Sequence, residues 1–274
     1  MTEKLLLMTG LRGEVGQSLC QEFKRRNQKY LRLEDYLSSG NENIKPKRLI
    51  HLAGHADESN TKNLINANID YLEKVIDSLA ETTVEEVIFF SSATVYGSQN
   101  KEDITELDPM ISPSLYGSSK LLGEQMLAKS GLNSLCIRLP GVLEINKSTT
   151  FLSKTFDKMR TGSDIHISNG QKIYNNFISV PVLADFLINS KIYLQHDIIN
   201  LASNKELSLQ GIIGLIKKSL DSTSNIIELD EKAEFFNLSI KKSIDNYNFV
   251  PGIAEEEIKN WCNSRVQTLE KTSV

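Results

Sequence analysis

The stretch "TGLRGEVG", residues 9–16, narrows the possible folds more than any other part of this chain. It follows an apolar run at Lys4–Thr9 that reads as a strand. It opens a helical pattern with Val15, Leu19 and Phe23 on one face. Glycines at 10, 13 and 16 suit a phosphate-binding turn in that setting. The first allows a tight turn, the second lets backbone approach a pyrophosphate, and the third lets helix and strand pack closely. The helix N-terminus then faces the anion. Ordinary turns also hold clustered glycines, so the strand–turn–helix context carries the reading.

Further along, short apolar runs at Tyr30–Leu33, Arg48–Ala53, Val87–Phe90 and Ser134–Leu139 read as strands. Helices are expected at Thr61–Leu79, with Leu64, Asn68, Leu72, Val75 and Leu79 along one side, and around Pro113–Lys129. Residues 36–47 read as a loop. Strands alternating with helices of this length define βαβ units. The expected class is therefore α/β, a doubly wound parallel sheet of Rossmann-like form with a smaller mixed C-terminal lobe. Residues 1–140 are expected to form the NAD(P)-binding domain. Residues 141–274 are expected to form the substrate lobe, partly threaded back onto the main sheet. In that lobe, helices are expected at Thr150–Arg160, Val182–Ser190 and Ser208–Leu220, with strands at Asn176–Ser179 and Ile198–Leu201.

Composition excludes several classes. The 274 residues are 40% hydrophobic and 24% charged with a net charge of −4, so there is no basic footprint for nucleic acid or an anionic membrane. No apolar stretch approaches a membrane span, and the N-terminal run is short for a signal peptide. Cys20, Cys136 and Cys262 lie far apart without metal-ligand spacing, which fits free thiols, a cytoplasmic setting and no metal.

The second chemical signal is "VIFFSSATVYG" at 87–97 followed by "YGSSK" at 116–120. Ligands of open α/β sheets bind beyond the carboxyl ends of the strands, which puts Ser91, Ser92 and Thr94 on the ligand side. Tyr116 and Lys120 are four apart and share a helix face. A neighbouring ammonium is expected to lower the phenol pKa from its usual ~10 into a useful acid–base range. Ser92 can hydrogen-bond a substrate oxygen, and Lys120 can also hold the nicotinamide ribose. Glu34 and Asp35, at the end of the second strand, suit the adenine ribose hydroxyls and NAD. Arg12 and Arg32 could instead pair with a 2′-phosphate, so NAD and NADP stay open.

On these residues the chain resembles the extended short-chain dehydrogenase/reductases, of the NAD-dependent epimerase/dehydratase kind that act on nucleotide sugars. The resemblance rests on "TGLRGEVG" (9–16), "HLAG" (51–54), Asn68, "SSATVYG" (91–97), "YGSSK" (116–120) and "RLPGV" (138–142). It implies catalysis by Ser92, Tyr116 and Lys120, with Thr94 where some members place another acid or base. It implies that Asn68 supports the active-site backbone. The implied cofactor shell is Gly10, Arg12, Gly13, Val15, Gly16, Arg32, Glu34, Asp35, Leu52, Ala53, Gly54, Tyr116, Lys120 and Pro140. A homodimer through the helices at 61–79 and 113–129 is also implied, with Leu121, Leu122 and Met126 available.

The departures are equally informative. Ala93 and Thr94 stand where 4,6-dehydratases carry an Asp-Glu pair, so elimination of water lacks its acid and base and is not expected. Gly141 replaces a substrate-contacting asparagine. Asn175 replaces the arginine that clamps the substrate diphosphate, and Val182 replaces a usual acid. A cation from Lys147, Lys154, Lys158 or Arg160 is therefore expected in the cleft. His51 is expected to be buried and satisfied by backbone, His55 to be a loop residue near the pocket, and Tyr96 to pack. The expected function is NAD(P)-dependent hydride transfer at a sugar hydroxyl or ketone, most naturally on a nucleotide sugar, as epimerase or ketoreductase. The alternative is a non-catalytic NAD(P)-binding sensor or structural protein on the same fold. The complete Ser-Tyr-Lys set argues against it, since a sensor needs the glycine loop but not the tyrosine.

Overall fold

A computed structural model describes residues 5–39, 45–145, 149–230 and 236–272. The elements run β1 (Leu6–Thr9), α1 (Glu14–Arg25), β2 (Tyr30–Arg32), α2 (Leu33–Ser39), β3 (Arg48–His51), α3 (Thr61–Ile65) and α4 (Tyr71–Leu79). They continue with β4 (Glu86–Ser92), β5 (Asp103–Ile104), α5 (Leu115–Lys129), β6 (Asn133–Leu139), β7 (Gly141–Leu143), α6 (Phe151–Arg160), β8 (Ile165–Ile167) and β9 (Phe177–Ser179). The rest are α7 (Val180–Asn189), β10 (His196–Asn200), α8 (Leu209–Ser219), β11 (Ile226–Glu228), β12 (Asn237–Leu238), α9 (Lys241–Tyr247) and α10 (Ala254–Thr272).

Six parallel strands form the central sheet in the order β10-β6-β4-β3-β1-β2. The chain moves outward from β1 to β2, then crosses over and builds the other half from β3. The reversal between β1 and β3 opens a crevice at the carboxyl ends of those strands. Strand residues alternate between the two faces. Leu6, Met8, Ile88, Phe90 and Ile137 pack into one core, which includes Leu19, Phe23, Leu183 and Leu187 of α1 and α7. Leu7, Val87, Phe89 and Cys136 face the other way onto Leu72, Val75, Leu79 and Leu127 of α4 and α5. Two buried faces explain why β4 reads as an unbroken apolar run rather than an alternating one.

A third core holds the lobe together. Leu152, Phe156 and Met159 of α6, Ile212, Ile213 and Ile216 of α8, and Ile258, Trp261 and Cys262 of α10 are its main members. Short parallel pairs β7–β9 and β8–β11 form within this lobe, and β5–β12 ties it to the segment that follows β4. Beyond residue 140 the chain also returns to the main sheet, where β10 pairs with β6 and α7 packs on α1. Helix starts are fixed locally: Ser114, Thr150 and Ser208 accept backbone N–H bonds at the starts of α5, α6 and α8.

Three local expectations change. The segment expected as a loop from residue 36 is helical through Ser39, because Leu33–Ser39 forms α2; residues 40–44 lie outside the described residues. Glu34 and Asp35 therefore sit in the first turn of α2, where carboxylates suit the helix dipole, and not at a strand end. The helix expected over 61–79 is broken by a π turn at Asn66–Asp70.

Candidate active site

The glycine turn lies where the sheet order reverses. A Cβ on Gly16 would come within 2.3 Å of the Gly10 carbonyl oxygen, so glycine there lets α1 start directly over the turn. Gly13 is the N-cap of α1 and brings no side-chain cap, leaving the first-turn N–H groups open to an anion. Gly10, Gly13, Val15, Gly16, Leu52, Gly54, Lys120 and Pro140 line one groove of about 330 Å³ that runs from this turn to Ser92 and Tyr116. That geometry fits a dinucleotide with its diphosphate at the turn. At the far side of the turn, Tyr71 donates to Glu34, and Arg32 lies 3.6 Å from Glu34 and 3.9 Å from Asp35. Arg12 is exposed and is not among the groove-lining residues.

Helix α5 brings the second cluster to the same groove. A Cβ on Gly117 would lie 2.5 Å from the Thr94 carbonyl oxygen, so this glycine allows α5 to press against the 3₁₀ turn Ala93–Tyr96. The contact sets Tyr116 and Ser92 together in the lining of both the groove and the cleft beyond it. Ser92 Oγ accepts from Thr94 N at 3.2 Å and from Thr94 Oγ1 at 2.9 Å. With both acceptor positions occupied, the Ser92 O–H is left to donate.

Burial raises the Tyr116 phenol above its ordinary value, and the Ser92 hydroxyl pulls it part of the way back. This differs from the expectation that Lys120 lowers it. Lys120 Nζ lies 5.9 Å from the Tyr116 ring centroid and 4.9 Å from that of Phe89, and burial lowers its own pKa to about 8. His51 sits behind it, stacked on Phe89, and burial followed by the Lys120 charge takes its pKa down to about 3. Imidazole is therefore neutral next to the ammonium. Its Nδ1 meets Thr9 Oγ1 at 3.0 Å and Nε2 has no partner among the described residues, so a side chain rather than backbone satisfies it. His55 lines a shallow depression with Ala53, Gly54 and Tyr71.

The π turn places Asn68 under the loop that follows β3. Asn68 Nδ2 donates to His55 O at 3.0 Å and to Ser119 Oγ at 2.8 Å, and its Oδ1 accepts from His55 N at 2.7 Å. One amide thereby ties the 53–55 backbone to α5. Below the site, Arg138 and Glu124 form a fully buried pair at 2.7 and 3.0 Å, with Ser91 donating to the same carboxylate. The Arg138 guanidinium lies 4.8 Å from the ring centroid of Tyr96, whose hydroxyl donates to Asn200 at 2.7 Å. Neither Glu124 nor the role of Arg138 is visible in the sequence, since a helix-face glutamate ordinarily points to water.

Ser92 and Tyr116 also border a larger cleft of about 750 Å³ between the sheet and the lobe. Thr94, Ser98, Thr149, Tyr174, Asn176 and Phe236 are among its lining. No charged side chain is among the described residues that line it. Lys154, Lys158 and Arg160 are exposed on α6 and absent from that lining, so the expected cation is not supplied by them; Lys147 lies outside the described residues. The reason is helix phase: Leu152, Phe156 and Met159 claim the inner face of α6, which leaves the three cations outward. Asn175 is not in the cleft either. It is buried, exchanging two hydrogen bonds with the Leu238 backbone at 2.8 and 3.0 Å. It holds β12 in place.

Comparison with known proteins agrees with this geometry. Residues 6–175 match the NAD dependent epimerase/dehydratase family, and the chain belongs to that family. The cofactor of that family is NAD(P), and the groove at the glycine turn fits it. Uncharacterized protein MJ1055 of Methanocaldococcus jannaschii is 24% identical over 242 residues, covering 81% of this chain and 74% of that protein. Among solved structures, the UDP-glucuronic acid 4-epimerase of Bacillus cereus in complex with NAD superposes with a TM-score of 0.76 at 16% identity, covering 96% of both chains. The UDP-Glc/GlcNAc 4-epimerase of Campylobacter jejuni gives 0.77 at 15% identity, covering 98% of this chain and 99% of that one. RMD from Pseudomonas aeruginosa, complexed with NADPH, gives 0.78 at 17%, with 97% and 99% covered. At such identities these structures share the fold with this chain.

Proposed function

We propose that this protein is an NAD(P)-dependent epimerase or ketoreductase acting at a secondary hydroxyl or ketone of a sugar, with a nucleotide sugar as the favoured substrate. The observation that carries the reading is the convergence of Ser92, Tyr116 and Lys120 where the dinucleotide groove meets the larger cleft. When bound, the nicotinamide ring accepts or returns the hydride. The chain's residues handle the proton. In the reductive direction Tyr116, a phenol at neutral pH, donates its proton to the substrate oxygen. In the oxidative direction the same oxygen, as phenolate, removes the hydroxyl proton. Ser92, its lone pairs occupied by Thr94, donates to the substrate oxygen and holds it against Tyr116. Lys120 is the only cation among the described residues lining the groove, and it suits the ribose hydroxyls, while the Ser92 hydroxyl is what favours the phenolate. The neutral turn at Ala93 and Thr94 supports oxidation and reduction without dehydration.

The nucleotide-sugar preference draws on the neighbours named above, two of which are named for UDP-sugars. A reductase of smaller, uncharged carbonyl compounds is the second reading, favoured by the uncharged lining of the cleft. A panel of UDP- and dTDP-sugars with oxidised cofactor, scored for epimer formation and cofactor reduction, and of free keto sugars with reduced cofactor, scored for cofactor oxidation, separates the two. We further propose a cytoplasmic homodimer. Its support is the three unpaired cysteines and the exposed apolar residues Ile65 on α3 and Leu122 on α5, 45% and 49% exposed.

A further inference from the structure

Glu144 stands just past β7 and lines the dinucleotide groove together with Glu14 and the glycine turn. Its side chain is buried, with 3% of the residue exposed, and Oε2 has no hydrogen-bond partner among the described residues. Trp261 Nε1 donates to the Glu144 backbone oxygen at 2.8 Å, which fixes the segment without satisfying the carboxyl. A buried polar oxygen without a partner is costly, and an ionised one more so. It also sits where a diphosphate belongs, beside the first turn of α1.

The charged groups around it do not resolve the conflict. Glu14, in the first turn of α1, also lines the groove and repels an ionised Glu144. Arg265 of α10 acts the other way, but it does not line the groove: its Nη2 donates to Asp157 of α6 at 3.0 and 3.1 Å, its plane lies on Phe156 and Trp261, and its Nε and Nη1 have no hydrogen-bond partner among the described residues, Glu144 included. Lys120 of α5 lines the groove with Ser92 and Tyr116 and is assigned to the ribose. Two carboxylates and a diphosphate would then crowd one end of the groove, with Lys120 the only cation among its described lining residues.

We propose that Glu144 meets the cofactor as a neutral carboxylic acid and donates its proton in a hydrogen bond to a phosphate oxygen of the dinucleotide. A neutral carboxyl carries one O–H donor, the group a phosphate oxygen accepts, and the arrangement removes both the orphaned oxygen and the repulsion. Burial, with the Glu14 charge behind it, lifts the Glu144 pKa to about 8, against a smaller pull from Arg265. The acid is thus present at neutral pH and lost above it. An environment that keeps a carboxyl protonated so that it can donate is an established use of desolvation. The inference rests on the groove holding the dinucleotide, and it makes cofactor affinity itself pH-dependent.

The test is calorimetric titration of the protein with NAD⁺ and NADPH between about pH 7 and about pH 9.5, in buffers of different ionisation enthalpy. Wild type is expected to lose affinity roughly tenfold or more over that span, with net proton uptake on binding near pH 8. Glu144→Gln, which keeps a donor and cannot ionise, is expected to bind at neutral pH within about threefold of wild type, with a flatter profile and less proton uptake. Lys120→Met, which removes the other group titrating near pH 8, is expected to retain the Glu144 part of the slope. An infrared difference spectrum of wild type on cofactor addition is expected to show a protonated-carboxyl band missing from Glu144→Gln. A Glu144→Gln profile as steep as wild type overturns the proposal, as does equal weakening at every pH. Absence of any binding by wild type at neutral pH overturns the dinucleotide reading instead, and the proposal with it.

Discussion

Thr94 grips Ser92 twice, through its amide at 3.2 Å and its hydroxyl at 2.9 Å, both to Ser92 Oγ. The pair turns a serine, which can donate or accept, into one set to donate. Thr94→Val removes one of the two bonds and frees the rotor. The expected result is a fall in kcat of about tenfold with KM little changed, since the loss falls on transition-state positioning. Thr94→Ser is expected to restore most of the rate. A Thr94→Val variant with wild-type kcat would remove this role.

Lys120 illustrates a stability cost carried for function. Burial holds its pKa at about 8, below the unfolded value of 10.5, so the folded state binds fewer protons across that window. The penalty is complete below about pH 8 and disappears as pH rises through 10.5. Lys120→Met is expected to gain on the order of 3 kcal/mol in urea unfolding at pH 7, shrinking toward pH 10, while turnover is lost. A destabilised Lys120→Met at neutral pH would contradict this sign.

Glu144 has the opposite linkage. Its pKa is raised from 4.5 to about 8, so its favourable contribution is complete below pH 4.5 and lost as pH rises through about 8. Without cofactor, Glu144→Gln is expected to match wild type near pH 4.5 and exceed it at pH 8 by on the order of several kcal/mol. Urea unfolding at the two pH values reads the difference directly. Equal stability of both proteins at pH 8 would place the carboxyl in a solvated setting.

The buried Arg138–Glu124 pair fixes the floor of the site. Arg138→Met leaves the Glu124 carboxylate in the core and is expected to cost about 3–5 kcal/mol, whereas adding Glu124→Leu is expected to recover most of it. Thermal and urea unfolding of the single and double variants measure the coupling. Additive losses would mean the two side chains are independent.

What the sequence makes legible follows from how local each signal is. The glycine turn, the apolar run of β4 and the Tyr116–Lys120 spacing are short-range patterns, and the parallel sheet and groove follow from them. Helix α10 was within reach as well: Glu255, Glu256 and Glu257 open it, and Ile258, Trp261, Cys262 and Arg265 fall on one face. The short pairings are different. Strands β5 and β12 have two residues each and no periodicity to read; they exist because Asn175 and Asn237 bridge segments distant in sequence. The roles of Asn175, Glu124 and Glu144 are likewise set by partners from other elements. Asn175 could be seen only as a missing arginine, while the structure makes it a brace.

The central claim is that Tyr116 passes the proton that accompanies hydride transfer at the junction of groove and cleft. It is tested most directly by single-turnover incubation of the oxidised-cofactor complex with the nucleotide-sugar panel, following the ultraviolet absorbance of reduced nicotinamide and epimer formation by NMR. Wild type is expected to reduce its cofactor or invert a carbinol centre with at least one sugar. Tyr116→Phe is expected to bind the same cofactor with near-wild-type affinity and to be slower by about a hundredfold or more. A Tyr116→Phe protein that turns over as wild type does, or a wild-type protein inert toward the nucleotide sugars with oxidised cofactor and toward the free keto sugars with reduced cofactor, would contradict the account.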